Sequence, residues 1–266
     1  VVYRNKEHNV SIRPYLNFNY NSQKVLSLYE NRDSYLGGST NNWGYAIGSP
    51  IYWVMPIFKG INPETGLREF YKPGEDRMTT HTDDNDLSNS YDYETLKQNT
   101  GKKRQAPLNG GFGFSATYKT LSLETNFSFS YGRYILNEDL RQTENAYNAL
   151  GIHNLSRNVT DFWKQKGDKV HLPSRGTTVF NNSGDDTRML EDASYIRLKN
   201  VNLSYSLPQV ALDQLKFFSN LRFYVAVHNI LTFTKFTGAD PEFPQSIATG
   251  GYPPSREYSM GIEMKF

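Results

Sequence analysis

Five stretches of this chain alternate apolar and polar residues with a period of two, and that pattern restricts its fold more than any other feature. Val10, Ile12, Pro14, Leu16, Phe18 and Tyr20 share one parity in NVSIRPYLNFNY. Phe112, Phe114, Ala116 and Tyr118 do so in GFGFSATY, as do Leu121, Leu123, Thr125, Phe127, Phe129 and Tyr131 in LSLETNFSFSY. Leu221, Phe223, Val225 and Val227 follow in LRFYVAVHN, and YSMGIEMKF ends the sequence on Tyr258, Met260, Ile262, Met264 and Phe266. A period of two sends alternate side chains to opposite faces of a strand, giving one apolar and one polar face. In a water-soluble sheet the apolar face meets a core; in a membrane barrel it meets lipid.

ASYIRLKNVNLSYSL breaks parity: Ile196 and Leu198 belong to one set, Val201, Leu203, Tyr205 and Leu207 to the other. One extra residue near Lys199 and Asn200 restores the register, which predicts a β-bulge there. WGYAIGSPIYWVMPIF, residues 43–58, is less regular but rich in aromatic and β-branched residues, and it completes a count of about seven strands. Lys119 and Thr120 form a tight hairpin turn, and Pro208 marks a second short connection at about 207–220. Long connections run from about 59 to 107, 133 to 192 and 230 to 255. Compact soluble domains seldom hold structureless loops of that size, whereas outer-membrane barrels pair short periplasmic turns with long extracellular loops. LRQTENAYNALGI, with Leu140, Ala146, Tyr147 and Leu150, predicts a short amphipathic helix inside one loop.

Composition agrees with thin apolar stripes rather than a thick core. Aromatic residues make up 14% of the chain and hydrophobic residues 37%, with a mean hydropathy of −0.65. The net charge of +2 gives no electrostatic footprint for nucleic acid. Cysteine is absent, which excludes disulfides, thiol nucleophiles and thiolate metal sites. No stretch approaches the ~18 consecutive apolar residues of a membrane-spanning helix, but barrel strands need only about 10 each. VVYRNKEHNV has no signal-peptide pattern and reads as an internal starting point.

Chemistry-bearing motifs are sparse. Histidines at 8, 81, 153, 171 and 228 show no metal-ligand spacing, so no metal is expected. Asp83, Asp84 and Asp86 lack the glycine and distal glutamate of a calcium loop and read as a solvated loop tip, as do Asp185 and Asp186. Glu138 with Asp139, and Glu191 with Asp192, are adjacent pairs that point apart on a strand, so glycosidase chemistry is not expected. The expectation is a chain that is no enzyme and binds no cofactor.

EDASYIRLKNVNLSYSLP, NLRFYVAVHNILTFTKFTGADPEF and GYPPSREYSMGIEMKF together resemble the C-terminal end of SusC/RagA-family TonB-dependent outer-membrane transporters. IGSPIYWVMPIFKGINPETG, PLNGGFGFSATYKTLSLETNFSFSYG and DFWKQKGDKVHLPSR fall upstream in the family's order, so the resemblance covers nearly the whole chain from about residue 10. It implies an all-β fold: the C-terminal segment, residues 1–266, of a large antiparallel transmembrane β-barrel in the bacterial outer membrane, 22-stranded when complete. The N-terminal plug, the TonB-box segment and the other strands have no counterpart in this sequence. The implied function is nutrient import of oligosaccharides or peptides, with a SusD-like surface lipoprotein, the TonB complex acting through the plug, outer-membrane lipid around the wall, and a homodimer of importer pairs.

Ser259, Gly261, Met264 and Phe266 resemble the C-terminal signal that barrel-assembly machinery recognises. If the apolar parities face lipid, Arg197, Lys199, Arg222, Tyr224 and His228 face the lumen. Trp43, Trp53, Tyr147, Trp163 and Tyr252 are candidates for stacking on substrate. The alternative reading is a soluble all-β, lectin-like binding module.

Overall fold

The computed structural model describes residues 2–5, 7–37, 42–74, 95–144, 154–174 and 186–266. Its largest unit is a seven-stranded antiparallel wall. The wall strands, in spatial order, are β1 (Tyr3–Asn5), β2 (Val10–Tyr20), β9 (Leu108–Tyr118), β10 (Leu121–Tyr131), β13 (Tyr195–Ser206), β14 (Asn220–Thr234) and β16 (Glu257–Lys265). Three smaller sheets occupy the long connections. One joins β3 (Ser34–Leu36), β4 (Trp43–Ala46), β5 (Tyr52–Pro56) and β8 (Lys97–Lys103); another pairs β6 (Phe58–Ile61) with β7 (Arg68–Phe70). The third places β11 (Tyr134–Asn137) between β12 (Leu190–Asp192) and β15 (Ile247–Ala248).

Register carries the apolar stripe unbroken across the wall. Ile12 opposes Ala116, which opposes Leu123, which opposes Leu203, then Val225 and Met260. Cross-strand partners share a face, so all of these side chains stand on the same side. The parity break in β13 is absorbed as expected: Asn126 pairs with Asn200 but Phe127 pairs with Leu198, which leaves Lys199 as the extra residue. On the other side of β13, Asn200 pairs with His228 and Leu198 with Leu231, with Asn229 at φ 53° inside the irregularity. Because that shift spans two residues in β14, its own parity survives and Leu231 and Phe233 rejoin the stripe. The strand therefore continues to Thr234, beyond the point where its alternation fades in sequence.

Burial is inverted relative to a soluble sheet. Every buried hydrophobic side chain lies outside the seven wall strands, whereas Arg197 and Ser204 are buried within them. On the wall Leu16, Phe18, Tyr258, Met260 and Phe233 are all more than half exposed. The cores sit among the long connections: Trp53, Met55, Leu136, Met189 and Leu190 form one, and Ile135, Ala193, Phe236 and Ala248 another.

Two sequence expectations are corrected here. Residues 43–58 make no wall strand; they supply β4 and β5, and Tyr52–Pro56 is buried at every position. A segment buried on both faces cannot also present one to lipid, and its continuous apolar run, unlike an alternating one, says so. The first long connection accordingly runs from 21 to 107, and the short β1 takes the seventh place in the wall. The expected helix is Glu138–Glu144; Ala146, Tyr147 and Leu150 lie outside the described residues.

Candidate functional site

The two ends of the wall differ sharply. At one end lie the 119–120 turn and the 207–219 connection with its short helix Gln209–Leu215, and β16 ends beside them with Lys265 opposite Asn220. All three long connections leave from the other end. Pro208, the expected turn residue, precedes that helix as its N-cap.

The chain end is fastened at the short-turn end. Ser219 donates its backbone N–H to the Lys265 carbonyl at 2.7 Å and its hydroxyl to the Phe266 carbonyl at 3.2 Å. Phe266 packs edge-on against Phe217 and tilted against Phe218, both at 5.3 Å between ring centroids. Sequence reading had not singled out Phe217 and Phe218; the aromatic pair just past a turn helix was the available signal. Met264 stands on the apolar face opposite Leu221, and the Ser259 hydroxyl lies 3.4 Å from the Ala226 carbonyl. Gly261 opposes Tyr224 on the polar face, and a Cβ there would lie 2.5 Å from the tyrosine ring, so glycine lets that ring lie flat across the neighbouring strand.

The five charged or polar candidates share the polar face but fall into two groups. Arg222 reaches Ser204 at 3.2 Å and Glu263 at 3.6 Å, while His228 Nδ1 pairs with the Asn200 side-chain oxygen. Tyr224 covers Gly261 in the same region. Arg197 and Lys199 sit near the long-connection end. Arg197 donates to Thr232 at 2.8 Å, to Glu242 at 2.6 Å and to Asp240, and Lys199 meets Glu242 at 2.6 Å. This cluster ties the connection at 235–256 to the polar face. Arg197 is nearly buried, and a charge held that deep needs such pairing.

The aromatic candidates are sorted by burial. Trp53 is withdrawn as a substrate contact: it is 0% exposed, packs in the first core, and donates its indole N–H to the Tyr134 carbonyl at 3.0 Å. Trp43 is half-buried beneath the Arg104 guanidinium, 4.3 Å from its ring. Trp163 donates to the Pro63 carbonyl at 2.8 Å and fills the space beside Gly66, a loop-packing role. Tyr252 is 96% exposed and open to a ligand. Tyr147 lies outside the described residues, as do Asp83, Asp84, Asp86 and Asp185. Asp186 is a correction: far from tipping a solvated loop, it is buried between Arg68 and Arg188. Adjacent acids elsewhere serve structure, Glu138 pairing with Arg141 and Glu191 accepting from Asn137 and Thr237.

One contact in the long connections is pH-sensitive. His171 Nε2 meets Glu144 at 3.2 Å, and Asn158 donates to the same carboxylate at 2.7 Å. The hydrogen bond to Glu144 raises the His171 pKa, with burial opposing. Burial alone would raise that of Glu144, but hydrogen bonds from His171 and Asn158, with the charges of His171 and Arg188, outweigh it and lower the value. A raised histidine pKa stabilises the fold fully below its ordinary 6.5, and that contribution fades as pH rises through the folded value. A depressed carboxylate pKa stabilises it above the ordinary 4.5, fading as pH falls through the folded value. Amide exchange of residues 156–172, corrected for intrinsic rates, is therefore expected to be slower at about pH 6 than at about pH 9. His171→Ala should remove the difference; its persistence in the variant would refute the assignment.

No protein-family model matches the chain. It is 25% identical over 94% of its length to TonB-dependent receptor P3 of Formosa agariphila, and 24% identical over 94% to receptor P26 of the same organism. It spans 26% and 27% of the length of those two receptors. Over 53% of its length it is 29% identical to TonB-dependent receptor SusC of Bacteroides thetaiotaomicron. Among solved structures, the RagAB peptide importer superposes with a TM-score of 0.80 in its open-open state and 0.81 in its closed-closed state. Both matches are 30% identical and cover 99% of this chain, against 27% and 28% of the importer chain. An antiparallel wall with one apolar and one charged face, short turns at one end and long connections at the other, and relatives agreeing along nearly its whole length make this chain part of a bacterial outer-membrane β-barrel similar to those of the TonB-dependent receptors P3 and SusC and of the RagAB importer.

Proposed function

We propose that residues 1–266 are the C-terminal portion of a nutrient importer, with the plug, its contact to TonB and the other strands supplied elsewhere in the full protein. The observation that carries this reading is the inverted burial: apolar side chains exposed along one wall face, charged ones held on the other. A water-soluble lectin-like module would bury that stripe, and seven strands leave edges that lipid does not tolerate, so the wall needs the rest of a barrel. In this reading Arg222, Tyr224 and His228 line the lumen or pack on the plug, and Arg197 and Lys199 anchor an extracellular loop above it. The three long connections form the extracellular surface on which a SusD-like lipoprotein rests, in an importer that assembles as a pair. A peptide is the substrate class this reading favours, because the solved structures that match 99% of the chain at 30% identity are of a peptide importer.

The test is uptake of labelled oligopeptides and of labelled oligosaccharides by cells carrying the full-length receptor, with and without TonB. TonB-dependent peptide uptake is the expected result; uptake of sugars alone would overturn the substrate class, and no TonB-dependent uptake of either would overturn import. The role given to the chain end has its own test. Phe266→Asp should lower the receptor's outer-membrane level severalfold, since it places a charge in an exposed aromatic cluster; an unchanged level would refute that role.

A further inference from the structure

Residues 240–246 lie against the long-connection end of the polar face, and four cations converge on them. Arg197 and Lys199 take the two carboxylates of that segment, Asp240 and Glu242. The other two cations find only neutral acceptors. Arg104, in the link from β8 to β9, donates through Nε and Nη2 to the Ser246 hydroxyl at 3.2 and 2.8 Å. Arg133, in the link from β10 to β11, donates through Nη2 to the Pro244 and Gln245 carbonyls at 3.3 and 2.6 Å. Neither makes an ion pair among the described residues, and Lys102, 4.5 Å above the Tyr134 ring, makes none there either.

Two half-buried guanidinium groups set close together without an anion repel each other, and a clamp on neutral acceptors does not need both charges. Burial pushes the Arg104 pKa down, with Tyr45 opposing. Burial does the same to Arg133, where Tyr195 opposes and the charge of Arg104 adds to the fall. The Trp43 and Trp53 rings, 4.3 and 5.7 Å from the Arg104 guanidinium, fix that group without neutralising it. Of the five N–H donors on each guanidinium, those on Nη1 of Arg104 and on Nε and Nη1 of Arg133 have no acceptor among the described residues. Tyr195 pairs with Ser130 on the polar face, so Arg133, within electrostatic reach of it, stands on the lumenal side of the wall.

We infer that Arg104 and Arg133 form a carboxylate-binding subsite at the extracellular mouth of the lumen, taking the C-terminal or a side-chain carboxylate of an incoming peptide. The inference rests on the peptide-import reading above, which makes the polar face the lumen. A carboxylate is planar and singly charged, and it has two oxygens to share between two guanidinium donors. Asp240 and Glu242 lie in the same segment, so a multiply charged anion would meet repulsion that a carboxylate largely escapes. Holding one carboxylate also orients the peptide, with that group fixed at the mouth.

The test uses the full-length receptor, purified in mild detergent with any lipoprotein that accompanies it, and displacement of a fluorescent oligopeptide that ends in a free carboxylate. The competitors are the same peptide without charged side chains as the free acid, its C-terminal amide, and the amide carrying one internal glutamate. The free acid is expected to compete about tenfold better than the amide. Recovery by the internal glutamate would extend the subsite to side-chain carboxylates, and no recovery would restrict it to the C-terminus; both support it. Arg104→Gln combined with Arg133→Gln should bring the free acid down to the level of the amide, and the corresponding lysine pair should keep part of the preference. Equal competition by all of the peptides, or a preference that survives the glutamine pair, would overturn the inference, as would stronger displacement by an oligogalacturonate than by any peptide. Heat-modifiable mobility and protease resistance of the long connections separate a loosened 240–246 segment from lost binding. Acid preference in binding without TonB-dependent uptake of these peptides by cells would count against import and leave the subsite standing. No binding of the labelled peptide would overturn the peptide reading and this inference with it.

Discussion

Gly113→Val is expected to leave less than about a tenth of the receptor folded in the outer membrane, because excess bulk in a packed strand costs about 1–3 kcal/mol and occasionally more, and ~1.4 kcal/mol is already tenfold. Gly113 is buried in the middle of β9, paired with Tyr15 on one side and Asn126 on the other. A Cβ there would lie 2.1 Å from the Thr125 backbone carbonyl and 2.8 Å from the Tyr15 ring. Tyr15 can swing aside, but the Thr125 carbonyl belongs to the backbone of β10 and moves only with the ladder. The Tyr15 ring lies over the glycine and its hydroxyl bonds Asn126, so one aromatic side chain bridges three strands. Gly261 makes the same arrangement with Tyr224, but there the three atoms nearest a Cβ all belong to the Tyr224 side chain, so Gly261→Val should do less harm. Ser115→Val, on the same face of β9 and half-buried, is the control. Folded receptor is measured by heat-modifiable mobility in outer-membrane fractions. Equal yields of the Gly113 and Ser115 variants would show that the close approach does not limit assembly.

The wall was legible because its signal is local. Period-two alternation survives in every wall strand but the three-residue β1, and even the bulge at Lys199 announced itself as a parity break. β1 was missed because three residues are too few to show a period. The long connections were less legible because their strands are held by partners far away in sequence. Tyr52–Pro56 pairs with Lys97–Lys103, and β11 pairs in parallel with Ile247–Ala248 more than a hundred residues on. Tyr52–Pro56 and most of β11 carry no alternation, since they are buried on both sides, and a continuous apolar run does not say which element it is. Trp53 shows the consequence: an aromatic residue between wall strands reads as a ligand contact until the core that closes over it is known. The polar-face residues followed from parity alone, but their division did not. What separates Arg197 and Lys199 from Arg222 and His228 is the approach of Asp240 and Glu242 from a distant loop, a tertiary fact with no local signature.

Asp186→Ala is expected to destabilise the packed long connections by about 3–5 kcal/mol, the usual consequence of stranding a buried charge. Asp186 is 2% exposed; Arg188 donates to it at 2.8 Å and Arg68, itself 2% exposed, lies 3.5 Å away. Its carboxyl is held below the ordinary carboxylate range: burial pushes it up, but the charge and hydrogen bonds of Arg188, with the charge of Arg68, outweigh that. Removing the carboxylate takes away the buried anion that the Arg68 and Arg188 guanidinium groups share. Arg68 belongs to β7 and Arg188 to the short helical turn Thr187–Met189 that leads into β12. Thr187 also accepts the Phe58 backbone N–H at 3.0 Å, so the ion cluster and this bond together join the first and second long connections. The wall does not share these residues, so the variant should still insert. The expected result is a receptor at normal outer-membrane level whose long connections are cut by external protease at much lower concentration than in the parent. Arg68→Met combined with Asp186→Leu removes both members of the fully buried pair and leaves only the part-exposed Arg188 without that carboxylate, and should recover part of the resistance. Protease resistance unchanged in Asp186→Ala would show that the two connections are held together by their apolar cores alone.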